Sequence, residues 1–387
     1  MEYLVILVYL IFCILFFDIG KRKGGNTHYV VILILFVLVS GLAYRVGTDA
    51  IKYEEGFNSE YRFFSLTNKS TGFYTIDMQP FWRILNFFFY QFTGEWVFFK
   101  LCMAIFFNGT IFWFIKRHCS FPFTAVLLYF VLIYFEFNFE SLRETFCICF
   151  MLIALDKFSG ESGTEKNYAK YYLWVWPAVF FHTFGFISLF IPLFTFFKYN
   201  FKLIILAVAV STFVFGSIES LFELNVFSLF STDSMDRMQY YINSDDYGTR
   251  EHNINGFISL LVRNIIAPLI IIKNKKSDNF QSLAITYVAI SVIASFALIF
   301  YRLNNYLVIP MAIVIAESLR NTVSDNNNIF QPVKLLRNRY VIMICLVLML
   351  SLRYSALINT TLWDHFYPYS SIYDKTMYMD REQLINR

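Results

Sequence analysis

The run YVVILILFVLVSGLA at 29–43 carries no charge, and comparable runs recur from one end of the chain to the other. Nothing constrains the fold more. A backbone surrounded by hydrocarbon has to satisfy its own hydrogen bonds, which leaves helices or a closed barrel. The runs show no strict alternation of apolar and polar residues, so they are read as helices. Candidate spans fall near 3–17, 29–43, 95–115, 121–135, 142–156, 171–182, 183–197, 203–217, 256–272, 281–300, 305–319 and 340–357. Several are shorter than the ~20 residues of a simple span, so their ends are soft. The expected fold class is therefore an all-α polytopic membrane protein with about 11–12 transmembrane helices. It is read as one integral membrane domain over 1–387. The first run has no basic residue before it and no small-residue cleavage site after it. It reads as a membrane helix and not as a removed signal peptide.

Basic residues orient the expected helices. Lysine-rich clusters fall at Lys21, Arg22 and Lys23; at Lys116 and Arg117; at Lys157, Lys166 and Lys170; at Lys198 and Lys202; and at Lys273, Lys275 and Lys276. A last one holds Arg320, Lys334, Arg337 and Arg339. Placing all of them in the cytoplasm puts both termini outside. It also requires 171–197 to form a hairpin of two short helices with His182 near its tip. The non-cytoplasmic side then holds mostly arginine: Arg45, Arg62, Arg83, Arg143, Arg237, Arg250, Arg263, Arg302 and Arg353. Arginine offers a planar fork that grips phosphate or carboxylate, whereas lysine is a hydrated point charge. Polar loops account for Arg62, Arg237 and Arg250. Apolar flanks make Arg143, Arg263 and Arg302 candidates for function.

A net charge of +4 fits cytoplasmic lysines and gives no reason to invoke nucleic acid. The six cysteines lie in or beside apolar runs, and their spacing implies neither a disulfide framework nor a metal site. Two polar segments are long enough to cover the outer surface, one near 44–80 and an acidic one near 218–255. The stretch PFWRILNFFFYQFT at 80–93 is too short and interrupted to span, and reads as re-entrant or interfacial.

Four constellations could carry chemistry. LAYRVGTDAIKYEEGFN, at 42–58, places Arg45, Asp49 and Tyr53 four residues apart, one face of a helix if the chain is helical there. Gly47 makes a non-helical elbow an equal alternative. At 137–158, Glu140, Arg143 and Glu144 stand at the outer end of an apolar helix, and an ionisable group inside a membrane is by default a functional candidate. The structural alternative is an Arg143–Glu140 clamp. FFHTFGFISLFIPL, at 180–193, holds the only histidine inside an apolar run, His182. FYRLNNYLVIP, at 300–310, packs Arg302, Asn304, Asn305 and Tyr306 into a turn between two expected spans, where they require one another or a ligand.

These segments resemble the EpsG/Wzy-like polysaccharide polymerases. YRVGTDAIKYEEGF resembles that family's R-x-G-x-D-x-x-x-Y signature, and ESLRETFCICFMLIAL its R-Q-containing helix. FFHTFGFISL resembles the F-H-x-S-A segment, FYRLNNYLVI the late R-x-x-x-Y helix and WDHFYPYSSIY a closing P-Y-x-x-I/F element. Glu144 stands where Gln is usual, and Thr183-Phe184-Gly185 replaces the small residues after the histidine.

The resemblance implies a GT-C-like fold and a metal-independent glycosyltransferase without cofactor in the bacterial inner membrane. Such an enzyme transfers a glycan from undecaprenyl diphosphate to the hydroxyl of another lipid-linked oligosaccharide repeat unit on the outer leaflet. The product would be O-antigen, capsule or exopolysaccharide, and the expected partners are membrane lipid, a chain-length regulator and a flippase. The implied catalytic residues are His182, Asp49 and Arg143. His182 is the favoured general base, oriented by Asp49 or Glu144, with Asp49 the alternative base. Diphosphate and sugar would be held by Arg45, Tyr53, Glu144, Arg263, Arg302 and Tyr306. Two other classes stay open: a glycosyltransferase using a polyprenyl-monophosphate sugar, with Asp49 as base, and a lipid-linked oligosaccharide flippase or transporter.

Overall fold

A computed structural model describes residues 2–59, 79–158, 166–196, 262, 266–268, 279–294, 301–324, 339–358 and 361–374. The expected loop at 218–255, the span at 203–217, most of that at 256–272 and the candidate Arg263 lie outside the described residues. Among the described residues every named element is helical. Among the described residues two helices are long and apolar enough to cross a membrane, Glu2–Ile19 and Trp96–His118, and several apolar helices are shorter. The outward faces agree with a membrane protein. Leu4, Val5 and Val8, Val30 and Ile34, and Phe88 and Phe92 all stand exposed, a distribution that water penalises and lipid does not.

The chain divides into two compact units, Met1–Pro192 with Tyr354–Arg387, and Leu193–Arg353. The first unit begins with α1 (Glu2–Cys13), which widens into a π-turn over Ile14–Ile19, and α2 (Gly25–Gly41). Then follow α3 (Thr48–Ser59), α4 (Pro80–Thr93), α5 (Trp96–His118), α6 (Pro122–Leu132) and α7 (Leu142–Phe158). The π-turn buries Asp18, whose carboxylate accepts the Thr124 N–H at 2.7 Å and its hydroxyl at 2.8 Å. It thereby satisfies donors at the first turn of α6 that have no partner within that helix.

The helices pack on aromatic rings and one buried polar network. Phe36 lies against Phe112, Phe130 and Tyr134. Asn108 of α5 donates to Asn138 at 2.8 Å and to Ser40 of α2 at 3.3 Å, and accepts from Tyr129 of α6 at 3.0 Å. Each member is fully buried or nearly so, and the closed ring of donors and acceptors fixes the register of three helices in an apolar interior.

After α7 the chain makes the expected hairpin. α8 (Tyr168–Val175) passes into a 3₁₀ turn over Trp176–Phe180, reverses at Phe181 and His182, and returns as a 3₁₀ helix over Thr183–Phe190 before α9 (Ile191–Phe194). Tyr171 donates to the Ser188 carbonyl at 2.5 Å, so the two limbs run antiparallel. Gly185 permits the contact, because a Cβ there would overlap the Ala178 carbonyl. α4 is a short amphipathic helix, ended by Gly94 in the left-handed conformation. It buries Trp82 and Asn86 and exposes Ile84, Phe88 and Phe92 at four-residue spacing. That pattern fits the interfacial alternative for 80–93.

The second unit contains α10 (Asn279–Ala294), α11 (Tyr301–Asn305), α12 (Val308–Ser324) and most of α13 (Arg339–Ile358). α13 crosses into the first unit at Tyr354 and leads to a 3₁₀ turn over Thr361–His365. The segment that follows straps the first unit. Ala43 and Ser371 form a bridge, Tyr44 N–H donates to the Ser370 carbonyl at 2.9 Å, and Ile372 N–H donates to Leu42 at 3.0 Å. Tyr3 and Tyr369 add bonds to the carbonyls of Phe366 and Val39, each 3.1 Å.

Candidate active site

The opening motif forms an elbow. Arg45 and Gly47 both have left-handed backbones, with φ of 49° and 89°, and α3 starts only at Thr48. Arg45 is therefore off the helical face, and only Asp49 and Tyr53 share it. Arg45 turns to Glu54, Nε to Oε2 3.3 Å, with both groups partly exposed. Gly47 is required twice. Its φ is one that a side chain resists, and a Cβ would stand 2.7 Å from the Phe139 carbonyl oxygen. Its N–H donates to the His365 carbonyl at 2.9 Å, which fastens the elbow to the C-terminal strap.

Three acidic or basic side chains from distant segments meet there. The Glu140 carboxylate accepts the Asp49 N–H at 3.0 Å, capping α3 in the sense that favours a negative charge at a helix start. Its other oxygen stands 3.6 Å from His365 Nδ1. Glu140 ends a π-turn over Glu136–Glu140, so it is not in helical register with Arg143. Its carboxylate serves α3 and His365.

The Asp49 carboxyl is ringed by protein, yet 46 % of its side-chain surface stays open. Desolvation and then the Glu140 charge raise it above the usual carboxylate range, while Lys52, 3.4 Å away, and Arg143 pull it back.

Arg143 lies in the first turn of α7. Its Nε donates to the Tyr53 hydroxyl at 3.4 Å, and its Nη1 to Gln79 Oε1 at 3.2 Å. The guanidinium carbon also stands 5.9 Å from the Tyr53 ring centre. Gln79 in turn donates to the Thr183 hydroxyl at 2.7 Å, so the fork is tied through one amide to the tip of the 3₁₀ hairpin. Glu144, next in sequence, is buried. His182 caps that 3₁₀ helix: its Nδ1 accepts the Phe184 N–H at 3.1 Å. The proton of the neutral ring therefore sits on Nε2. In this tautomer Nδ1 is the acceptor of the ring and Nε2 its donor.

The first unit thus gathers Asp49, Tyr53, Arg143 and the tip that bears His182, with Arg45 at the rim. Arg302 and Tyr306 lie in the second unit, where Tyr306 is buried and Asn304 donates to Ser291 at 2.9 Å. Sequence reasoning passed over two members of the site, Gln79 and His365. Gln79 is a neutral residue at the edge of a polar stretch and gave no signal. His365 had one: it stands among aromatics in WDHFYPYSSIY, directly after a helix.

Neither a curated protein nor a solved structure matches the chain. A family model described as the EpsG family matches residues 26–371, which include the elbow, the Arg143 helix, the histidine hairpin and the strap as far as Ser371. With that match over most of its length, the chain belongs to the EpsG family of Wzy-like polysaccharide polymerases.

Proposed function

We propose that this chain lengthens a polysaccharide held on undecaprenyl diphosphate. It moves the growing glycan onto a hydroxyl of another lipid-linked repeat unit at the outer face of the bacterial inner membrane. The observation that carries this reading is the Arg143 fork, aimed by Tyr53 and Gln79 beside a carboxylate cluster. A diphosphate leaving group gains charge as the glycosidic bond breaks, and preorganised guanidinium donors stabilise that charge without reorganising. His182, with its proton on Nε2, adds a neutral donor of the same sense. Tyr53, beside the fork, is proposed as a sugar contact, and apolar helix faces hold the prenyl tail. The acceptor hydroxyl needs a base, and the acidic side of the cluster, Asp49 with Glu140 and His365, is where a proton can go. The fold is read as multi-pass and GT-C-like, with this end facing outward.

Deletion of the gene tests the reading through its lipid-linked glycans. The account expects complete single repeat units on the lipid and no longer chains. A truncated repeat unit would mark a monosaccharide transferase, and units trapped in the cytoplasmic leaflet would mark a flippase.

A further inference from the structure

His365 is the histidine of this site whose geometry suits a base. It lies in the C-terminal strap, and its position is fixed by backbone and not by its ring: the carbonyl of His365 accepts the Gly47 N–H, and the neighbouring Phe366 carbonyl accepts from Tyr3. The ring itself faces one carboxylate. Nδ1 stands 3.6 Å from Glu140 Oε1, an ion-pair distance that a catalytic hydrogen bond without substrate often shows before it tightens. Glu140 cannot swing away freely, because its second oxygen is held by the Asp49 N–H. A carboxylate facing Nδ1 draws the ring proton to that nitrogen and leaves the Nε2 lone pair available. Among the described residues Nε2 makes no hydrogen bond. The side chains of His365 and Glu140 are 17 % and 18 % exposed, so the pair is sheltered and still reachable. His182 is the mirror case, with its Nδ1 lone pair spent on a backbone N–H.

On the polymerase reading above, we infer that His365 is the catalytic base for the acceptor hydroxyl and that Glu140 is its positioning residue. As the acceptor oxygen bonds to the anomeric carbon, its proton passes to His365 Nε2. The bond from that carbon to the diphosphate oxygen breaks, and its electron pair leaves on the polyprenyl diphosphate. Glu140 offsets the imidazolium that forms. Later loss of the imidazolium proton to water restores the ring, so the step balances without another reactant. Asp49 is the less suitable base of the two, because its carboxylate is already paired with Lys52 at 3.4 Å. The charges around His365 are Glu140 directly, then Asp49, Lys52 and Arg143 beyond it, with Asp364 preceding it in the chain.

The test uses purified full-length protein and the polyprenyl-diphosphate repeat unit extracted from the deletion strain. Wild type should lose activity at acid pH, where a base is protonated. His365→Gln should lower kcat by about 10²-fold or more with little change in KM for the acceptor. Added imidazole should restore part of the activity of His365→Gly. Glu140→Gln removes the carboxylate that orients the ring, so its kcat should fall by about ten-fold or more with little change in KM. Wild-type rate and acid limb in His365→Gln would overturn the inference. So would an acid limb that vanishes only in Asp49→Asn. A dead His365→Gly that imidazole does not revive, joined with a wild-type kcat in Glu140→Gln, would make His365 a structural clip. Failure of wild type itself to lengthen the repeat unit would instead overturn the polymerase reading.

Discussion

Arg143→Lys is expected to cut polymer formation by about 10²- to 10³-fold, the usual cost of losing one well-placed donor to a developing anion. The substitution keeps a positive charge and most of the stem, so the protein should accumulate to the normal level. What it removes is the planar fork. A lysine ammonium cannot hold Tyr53 and Gln79 as the guanidinium does and still present paired donors to a diphosphate. The measurement is polymer yield against protein amount in membranes, with lipid-linked single units expected to build up. Polymer at the wild-type yield in Arg143→Lys would show that charge alone suffices there, and would remove the main support for diphosphate binding at this position.

Gly47→Ala should be nearly as damaging, for a backbone reason. At φ 89° a side chain is strained by roughly 1–3 kcal/mol. The new Cβ would also stand 2.7 Å from the Phe139 carbonyl oxygen and 2.9 Å from Phe139 Cβ. Relief requires the elbow to move away from the turn that carries Glu140, which pulls Asp49 and the His365 carbonyl apart from it. Lower thermal stability in detergent and a severe loss of polymer are expected together. Gly109→Ala is the matched control. Gly109 lies within α5 with nothing near its Cβ position, so alanine there should be neutral or stabilising by up to ~1 kcal/mol. Equal damage from both substitutions would mean the elbow is no more constrained than an ordinary helical glycine.

The helical class, the reversal near His182 and the one-sidedness of the short helix at 80–93 were legible because each rests on local pattern. Apolar runs mark helices, the charge on flanking loops fixes how many turns back are needed, and a three-to-four residue period marks a one-sided helix. The site was legible only in part. Asp49, Tyr53 and Arg143 stand out because charged or hydroxyl groups interrupt apolar sequence. Their arrangement was less so. Residue types left a helical face and an elbow at Gly47 equally open, and two left-handed residues decide for the elbow by delaying the helix until Thr48. The i, i+3 spacing offered a Glu140–Arg143 clamp only as an alternative, and a π-turn that ends at Glu140 breaks that spacing. The His365–Glu140 contact joins segments more than two hundred residues apart, and no periodicity encodes such a pair. The tautomer of His182 is likewise set by one backbone N–H in a 3₁₀ turn, a detail of local geometry beyond the reach of residue type.

The central claim is that this chain makes glycosidic bonds between lipid-linked repeat units. The most direct measurement reconstitutes the purified protein in liposomes of defined lipid, with the polyprenyl-diphosphate repeat unit as sole glycan. Glycan length and free polyprenyl diphosphate are then followed over time. The account predicts a ladder of multimers and one polyprenyl diphosphate released for each new linkage. Repeat units that stay single while crossing to the opposite leaflet, or sugar transfer only when a polyprenyl-monophosphate sugar is supplied, would contradict it.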